Sequence, residues 1–438
     1  MYKFVVKGGA KLKGEIRISG SKNSGLAVLA GSILCDKKIT LIDLPNIKDV
    51  YSMNNLLLDL GSNITMDATR IAELGVDTSV YIIDNSNINK QVAEYDFVKK
   101  MRASIFVLGP LLTRFGKARV SLPGGCAIGV RGVDIHMGGL RALGADIEIN
   151  NGYIEATAKN GLTGCEYTLS FASVGATENL ISAAVLAKGR TVLKNVAKEP
   201  EIIALCEFFN AIGAKISGYG TNEIIIDGVK QEDLHETTFR IPPDRIEAGT
   251  YAIASAITDG EALLTNCDIS VFRGVVGEKF NEIGIGLKQV KDSNGRNAIL
   301  AFKAHEFKPT NIETAVFPGF PTDLQAQIMI PLLLAKGDSK VVENLFENRL
   351  QHVAELRRMN ANIETNNTTA LVHGNTKLKG ANVMATDLRA SASLVLAGLV
   401  AEGETVVDRI YHLDRGYENL ELKLNNCGAE IERIRVEE

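Results

Sequence analysis

FFNAIGAKI, residues 208–216, reads as the last turns of a helix, a break at Gly213 and re-entry as a strand. The same phrase returns as LLLDLGSNI (56–64), LRALGADI (140–147), FNEIGIGL (280–287), LRRMNANI (356–363) and LNNCGAEI (424–431). Its turn residues are Gly61, Gly144, Gly213, Gly284, Asn360 and Gly428, spaced 68 to 83 residues apart. Gly, or Asn in its place, ends helices this way because it enters the left-handed backbone region at low steric cost. A phrase that recurs six times along 438 residues marks an internal repeat.

Other parts recur in step. Before each turn lies a short β-rich run: KITLIDLP (38–45), ARVSLPG (118–124), TVLKNVA (191–197), ALLTNCD (262–268), KVVENLF (340–346) and TVVDRIY (405–411). Before that comes a helix, as in SKNSGLAVLAGSIL (21–34), MRASIFVLGPLLTRFG (101–116), SVGATENLISAAVLAKG (173–189), RIEAGTYAIASAITDG (245–260), TDLQAQIMIPLLLAKG (322–337) and DLRASASLVLAGLVAEG (387–403). These six helices are rich in small residues and apolar nearly all round, which predicts burial on every face. Further strand-like runs precede them, such as GEIRISG (14–20), EYTLSF (166–171) and TTFRIP (237–242). The predicted unit is strand, buried helix, strand, outer helix, then one or two strands. Three units around a shared centre make one domain and six make two, so the fold class is α/β. The midpoint falls near Thr238–Pro243, where two prolines mark a break.

Bulk properties narrow the function. The chain is 45% hydrophobic and 23% charged, as in soluble globular proteins. A net charge of −4 gives no global basic footprint for nucleic acid, and the lack of Trp argues against a base-stacking surface. The six cysteines include no CxxC and the nearest two lie 39 residues apart, a pattern suited to a reducing cytosol rather than a disulfide framework. The N-terminus lacks the apolar core of a signal peptide, and no apolar run approaches the ~20 residues that span a bilayer. A cytoplasmic protein that neither crosses nor binds a membrane is expected.

The N-terminal ends of the buried helices collect unusual residues: Ser21-Lys22-Asn23, Lys99-Lys100-Met101-Arg102, Ser173-Val174-Gly175, Asp244-Arg245, Thr322-Asp323 and Thr386-Asp387-Leu388-Arg389. A helix N-terminus favours anions, and Lys22, Arg102 and Arg389 strengthen that preference. The competing reading of each Asp or Ser is an ordinary N-cap. VSLPGGCAIGVRGVDIHM (120–137) sets Cys126 among three glycines, with Arg131 five residues on. That suits a reactive thiol, because cations favour the thiolate, and equally a turn with a small apolar residue. His136 is a helix-packing or surface histidine, with a Cys126–His136 dyad as the alternative. No P-loop, no G-x-G-x-x-G opening a helix and no metal-ligand cluster is present.

The motifs ISGSKN (18–23), KKMRASI (99–105), SLPGGCAIG (121–129), SVGAT (173–177), KEPEI (198–202), PDRIEAGT (243–250), PGFPTDLQAQ (318–327), FENR (346–349), TDLRASASLVLAG (386–398) and DRIYHLDRGYE (408–418) run the length of the chain. Together they resemble the UDP-N-acetylglucosamine 1-carboxyvinyltransferase family of the enolpyruvyl transferases. The resemblance implies a two-domain inside-out α/β barrel of six repeats, three per domain, with residues 22–241 inserted into a domain made of 1–21 and 242–438. It implies transfer of the enolpyruvyl group of phosphoenolpyruvate to the 3-hydroxyl of UDP-N-acetylglucosamine, with phosphate released, at the committed step towards peptidoglycan. Small-molecule substrates are its only implied partners, without cofactor or metal.

By the same resemblance, Lys22, Asn23, Arg131, Arg389 and Arg415 hold phosphoenolpyruvate. Arg102, Arg131, Gly132, Val133, Asp134, Ile135, Ser173, Val174, Gly175, Asp323 and Leu345 hold the nucleotide sugar. Cys126 protonates C3, Asp323 accepts the sugar hydroxyl's proton, and Lys22, Asp387 and Arg389 complete the catalytic set. Three positions depart from the family pattern: Gly132 stands where Pro is common, Phe171 where many members carry Lys, and Leu345 where Val is usual. The alternatives are an enolpyruvyl transferase with another acceptor, or a weakly active regulatory protein that binds the nucleotide sugar.

Overall fold

A computed structural model describes residues 2–66, 78–99, 101–123 and 132–436. Cys126 and Arg131 lie outside the described residues. All six repeat turns have left-handed backbones, with φ from 69° at Asn360 to 118° at Gly284. Asn360 tolerates this conformation better than most side chains do. Its amide also donates to the Lys377 carbonyl at 2.9 Å.

The repeat appears as six four-stranded sheets of one topology. In Glu166–Thr168, Arg190–Lys194, Glu223–Asp227 and Lys215–Ser217, the first pair is parallel and the next two antiparallel. Three sheets take a strand from a distant part of the chain. Thr237–Arg240 pairs in parallel with Ile39–Ile42, in the register Thr237↔Ile39. Tyr2–Lys7 lies antiparallel between Glu404–Asp408 and Glu430–Arg435. Lys13–Arg17 runs parallel to Glu261–Thr265. These pairings tie the N-terminus to the C-terminal half. The described residues fall into two compact units: a terminal unit drawn from 2–19 and 243–436, and a central unit drawn from 20–123 and 132–242.

Each unit has its own apolar core. In the terminal unit the helices Arg245–Ile257, Gln325–Leu334 and Leu388–Val400 pack on one another. Twelve of the thirteen residues of Leu388–Val400 are buried. Strands such as Glu404–Asp408 alternate buried and exposed positions, so one face meets the helices and the other meets water. Helices inside and open sheets outside are the arrangement the apolar helices predicted. Each fully buried Leu or Ile there contributes about 1.5–3 kcal/mol.

Two of the expected helices begin differently. Residues 101–116 divide into a 3-10 helix, Arg102–Val107, and an α-helix, Leu108–Phe115. Pro110 thereby falls in the first α-turn, where its missing N–H leaves no bond unmade. Residues 322–337 open with a 3-10 turn, Thr322–Leu324, ahead of Gln325–Leu334. This turn takes Asp323 out of the capping position that Asp244 and Asp387 occupy.

Candidate functional site

Capping accounts for four of the helix-end residues. Ser21 accepts from Ser24 N at 3.2 Å and Ser173 from Ala176 N at 3.3 Å. Asp244 accepts from Ile246 N and Glu247 N at 2.8 and 3.0 Å. Asp387 Oδ1 accepts from Arg389 N and Ala390 N at 2.9 and 3.1 Å. Ser173 and Asp387 therefore have a structural task whatever else they do.

In the terminal unit, Asp323 is set apart from those caps. Its Oδ1 lies 2.7 Å from Arg349 Nη2 and its Oδ2 lies 3.1 Å from Arg389 Nη2. Both guanidiniums are nearly buried, with side chains 7% and 3% exposed, whereas Asp323 is 26% exposed. Burial alone would lower the Arg389 pKa, but Asp323 leads the opposing influences and the net shift is upward. Arg389 also faces the Tyr417 ring, 5.5 Å from its centroid. Its Nη1 is buried with no hydrogen-bond partner among the described residues. An unmatched buried guanidinium N–H is costly, so this atom is primed for an anionic acceptor. The Tyr417 hydroxyl is held by Thr250 Oγ1 at 2.8 Å and Gln327 Nε2 at 3.2 Å, and burial raises its pKa.

Arg415 ends the 3-10 helix Ile410–Arg415. Burial lowers the His412 pKa, and Arg415 adds to that shift. Leu345 donates its backbone N–H to Glu343 Oε1 at 2.9 Å. The structure thus gathers Asp323 and Arg389 directly and adds Arg349, Tyr417 and Gln327, which the sequence reading did not single out. A signal existed for each. Arg349 and Tyr417 stand in FENR and DRGYE, and Gln327 is a polar residue inside an apolar helix.

In the central unit, Lys22 Nζ lies 2.9 Å from Asp49 Oδ2, with side chains 12% and 3% exposed. Asn23 follows in the same helix and is half-buried. Asp49 sits in the first turn of Lys48–Leu60 and was not anticipated. Arg102 opens its 3-10 helix, and Asp134 opens Asp134–Ala142, just after Gly132 and Val133. Ile135 and Val174 pack against the core.

Gly175 brings its helix close to two rings. A Cβ there would stand 3.1 Å from Phe106 and 3.5 Å from His136. Asn179 joins the three segments. It donates to the Ile105 carbonyl at 2.9 Å, contacts His136 Nδ1 at 3.0 Å and accepts from Gly109 N at 2.7 Å. With its carbonyl oxygen used by Gly109, the amide donates to Nδ1 and leaves the His136 proton on Nε2. Burial, then Arg102, lowers the His136 pKa to about 4. His136 is a helix-packing histidine. Phe171 is 50% exposed.

Among the described residues no group of three or more His, Cys, Asp or Glu side chains is placed to hold a metal ion. Nor is any described helix long and apolar enough to cross a membrane. The five described cysteines are unpaired, and four of them are buried.

Comparison with known proteins adds to this picture. Residues 6–424 match the family model described as EPSP synthase (3-phosphoshikimate 1-carboxyvinyltransferase). The chain is 49% identical over 435 residues to UDP-N-acetylglucosamine 1-carboxyvinyltransferase of Novosphingobium aromaticivorans, covering 99% of each. It is 47% identical over 440 residues to the protein of that name from Cellvibrio japonicus, covering 99% of this chain and 100% of that one. The fold resembles the enolpyruvyl transferase NikO from Streptomyces tendae, with a TM-score of 0.87 at 22% identity and 99% of both chains covered. It also resembles an EPSP synthase from Acinetobacter baumannii, with a TM-score of 0.75 at 18% identity, covering 99% of this chain and 100% of that one. With six sheets of one topology, the helix-end clusters and near-half identity over almost the whole length, the chain belongs to the UDP-N-acetylglucosamine 1-carboxyvinyltransferase family of enolpyruvyl transferases.

Proposed function

We propose that the chain transfers the enolpyruvyl group of phosphoenolpyruvate to the 3-hydroxyl of UDP-N-acetylglucosamine. The observation that carries this reading is the pair of buried guanidiniums on Asp323, with Arg389 Nη1 left for an anion. In the addition step, the sugar oxygen bonds to C2 of phosphoenolpyruvate and gives its proton to Asp323. Cys126 protonates C3. The resulting ketal then loses a proton from C3, the bond from C2 to the phosphate oxygen breaks, and phosphate leaves. Lys22, Asn23, Arg131, Arg389 and Arg415 bind phosphoenolpyruvate, and their cations offset its charge. Asp387 stands by the reacting carbons. Arg102, Arg131 to Ile135, Ser173 to Gly175, Asp323 and Leu345 bind the nucleotide sugar. The product enters peptidoglycan synthesis in the cytoplasm.

Phosphate release is the test. Purified protein should release phosphate only when both substrates are present, and no release would sink the reading. Release with 3-phosphoshikimate instead of the nucleotide sugar would reassign the acceptor. A small phosphonate epoxide such as fosfomycin should label the wild-type chain and leave Cys126→Asp unlabelled.

A further inference from the structure

Glu343 has no part in the steps above, yet both of its carboxylate oxygens are hydrogen-bonded beside them. It follows the strand Ser339–Val342 and is 1% exposed. Its Oε1 accepts from Thr314 Oγ1 at 2.9 Å, Leu345 N at 2.9 Å and Phe346 N at 3.2 Å. Its Oε2 accepts from Thr322 Oγ1 at 2.7 Å. Thr322 Oγ1 in turn accepts from Arg349 Nη1 at 3.0 Å, and Arg349 Nη2 reaches Asp323 at 2.7 Å.

The polarity of this chain of bonds depends on a carboxylate at its end. An ionised carboxylate only accepts, so the single Thr322 hydroxyl proton must point to Glu343. The Thr322 oxygen then faces Arg349 with its lone pairs. An amide at 343 would present N–H groups to Thr322 and compete with Arg349 for the same oxygen. Burying a charged carboxylate is costly even when hydrogen-bonded, and a neutral residue would suffice to hold a turn. We propose that Glu343 is a positioning residue for the transfer. Through Thr322 it sets the Arg349 fork and hence the Asp323 carboxylate, while its other oxygen holds the Leu345 turn. This rests on the reaction proposed above.

The geometry separates the two limbs experimentally. In Glu343→Gln the amide oxygen keeps the bonds to Thr314, Leu345 and Phe346, and only the Thr322 limb reverses. Thr322→Val removes the same limb from the other side. Each variant should lower kcat by between about tenfold and 100-fold, with both KM values within about twofold of wild type. The double variant should be no slower than the worse single one, as for two breaks in one chain of bonds. Thr322→Ser, which keeps the hydroxyl, should recover most of the rate.

Unchanged kcat in Glu343→Gln would overturn the inference. So would additive losses in the double variant, or losses of kcat and KM that merely follow the melting temperature. A wild-type chain without turnover would overturn the reaction itself, which keeps the two failures distinct.

Discussion

Asp323 Oδ2 and Arg389 Nη2 lie 3.1 Å apart, and the other terminal nitrogen of Arg389 is buried without an acceptor. One guanidinium thus has one arm on the proposed base and a second, near Tyr417, without an acceptor of hydrogen-bonding geometry among the described residues. A lysine would keep the charge near Asp323 and lose the fork. Arg389→Lys should therefore lower kcat/KM for phosphoenolpyruvate by about 100- to 1,000-fold, the scale of a lost transition-state donor. Steady-state phosphate release at varied phosphoenolpyruvate checks this, and a loss under fivefold would show that a point charge is enough.

Lys22 and Asp49 form a second pair, 2.9 Å apart and well shielded from water. Breaking a buried pair from one side is costly because the remaining charge is poorly solvated. Asp49→Ala should cost about 3 kcal/mol of unfolding free energy and raise the KM for phosphoenolpyruvate. Guanidinium unfolding curves with an unshifted midpoint would mean that the pair is effectively solvated.

His136 and His352 are buried neutral, each lowered to about pKa 4 mainly by desolvation. Between about pH 6.5 and 4 the unfolded chain binds protons that the folded chain refuses, so their contribution is complete above 6.5 and lost on acidification. Burial raises the Glu178 carboxyl instead, so that group weakens the fold as pH rises above its unfolded value. His136→Gln should therefore flatten the slope of unfolding free energy against pH between 6.5 and 4 by up to one proton. Urea titrations across that range measure the slope, and parallel curves for variant and wild type would count against a neutral buried His136.

Phe171 is half exposed, at a position where the family resemblance implies a lysine in many members. A cation next to Ser173 to Gly175, the proposed nucleotide-sugar contacts, should tighten the nucleotide sugar modestly. Phe171→Lys should lower the KM for UDP-N-acetylglucosamine by roughly two- to fivefold at low salt, with the gain shrinking at 0.5 M as exposed charges are screened. A gain unaffected by salt would point to packing rather than charge.

Much of this was legible in the residues. The helix that is buried on every face, the six left-handed turns and the α/β class follow from local rules, and the structure bears them out. Lys22, Asp323 and Arg389 stand in the motifs that carry the family resemblance. Asp49, Arg349, Tyr417 and Glu343 were not assigned roles, because each meets a partner 21 to 28 residues away. Asp323 shows the limit well. In sequence it resembles Asp244 and Asp387, all three standing at the start of an apolar helix. Only the 3-10 turn Thr322–Leu324 separates it from those caps and delivers it to two arginines.

The sequence by itself determined what depends on near neighbours: the left-handed turns that end helices, the alternation of exposed strand faces and the sixfold repeat. Periodicity and backbone sterics act over a few residues, so a linear reading captures them. Tertiary structure alone decided which carboxylate caps a helix and which meets guanidiniums, and which histidines stay neutral. It also decided where a buried Glu343 can order a chain of hydrogen bonds. Those outcomes turn on desolvation and on atoms brought within about 3 Å by packing.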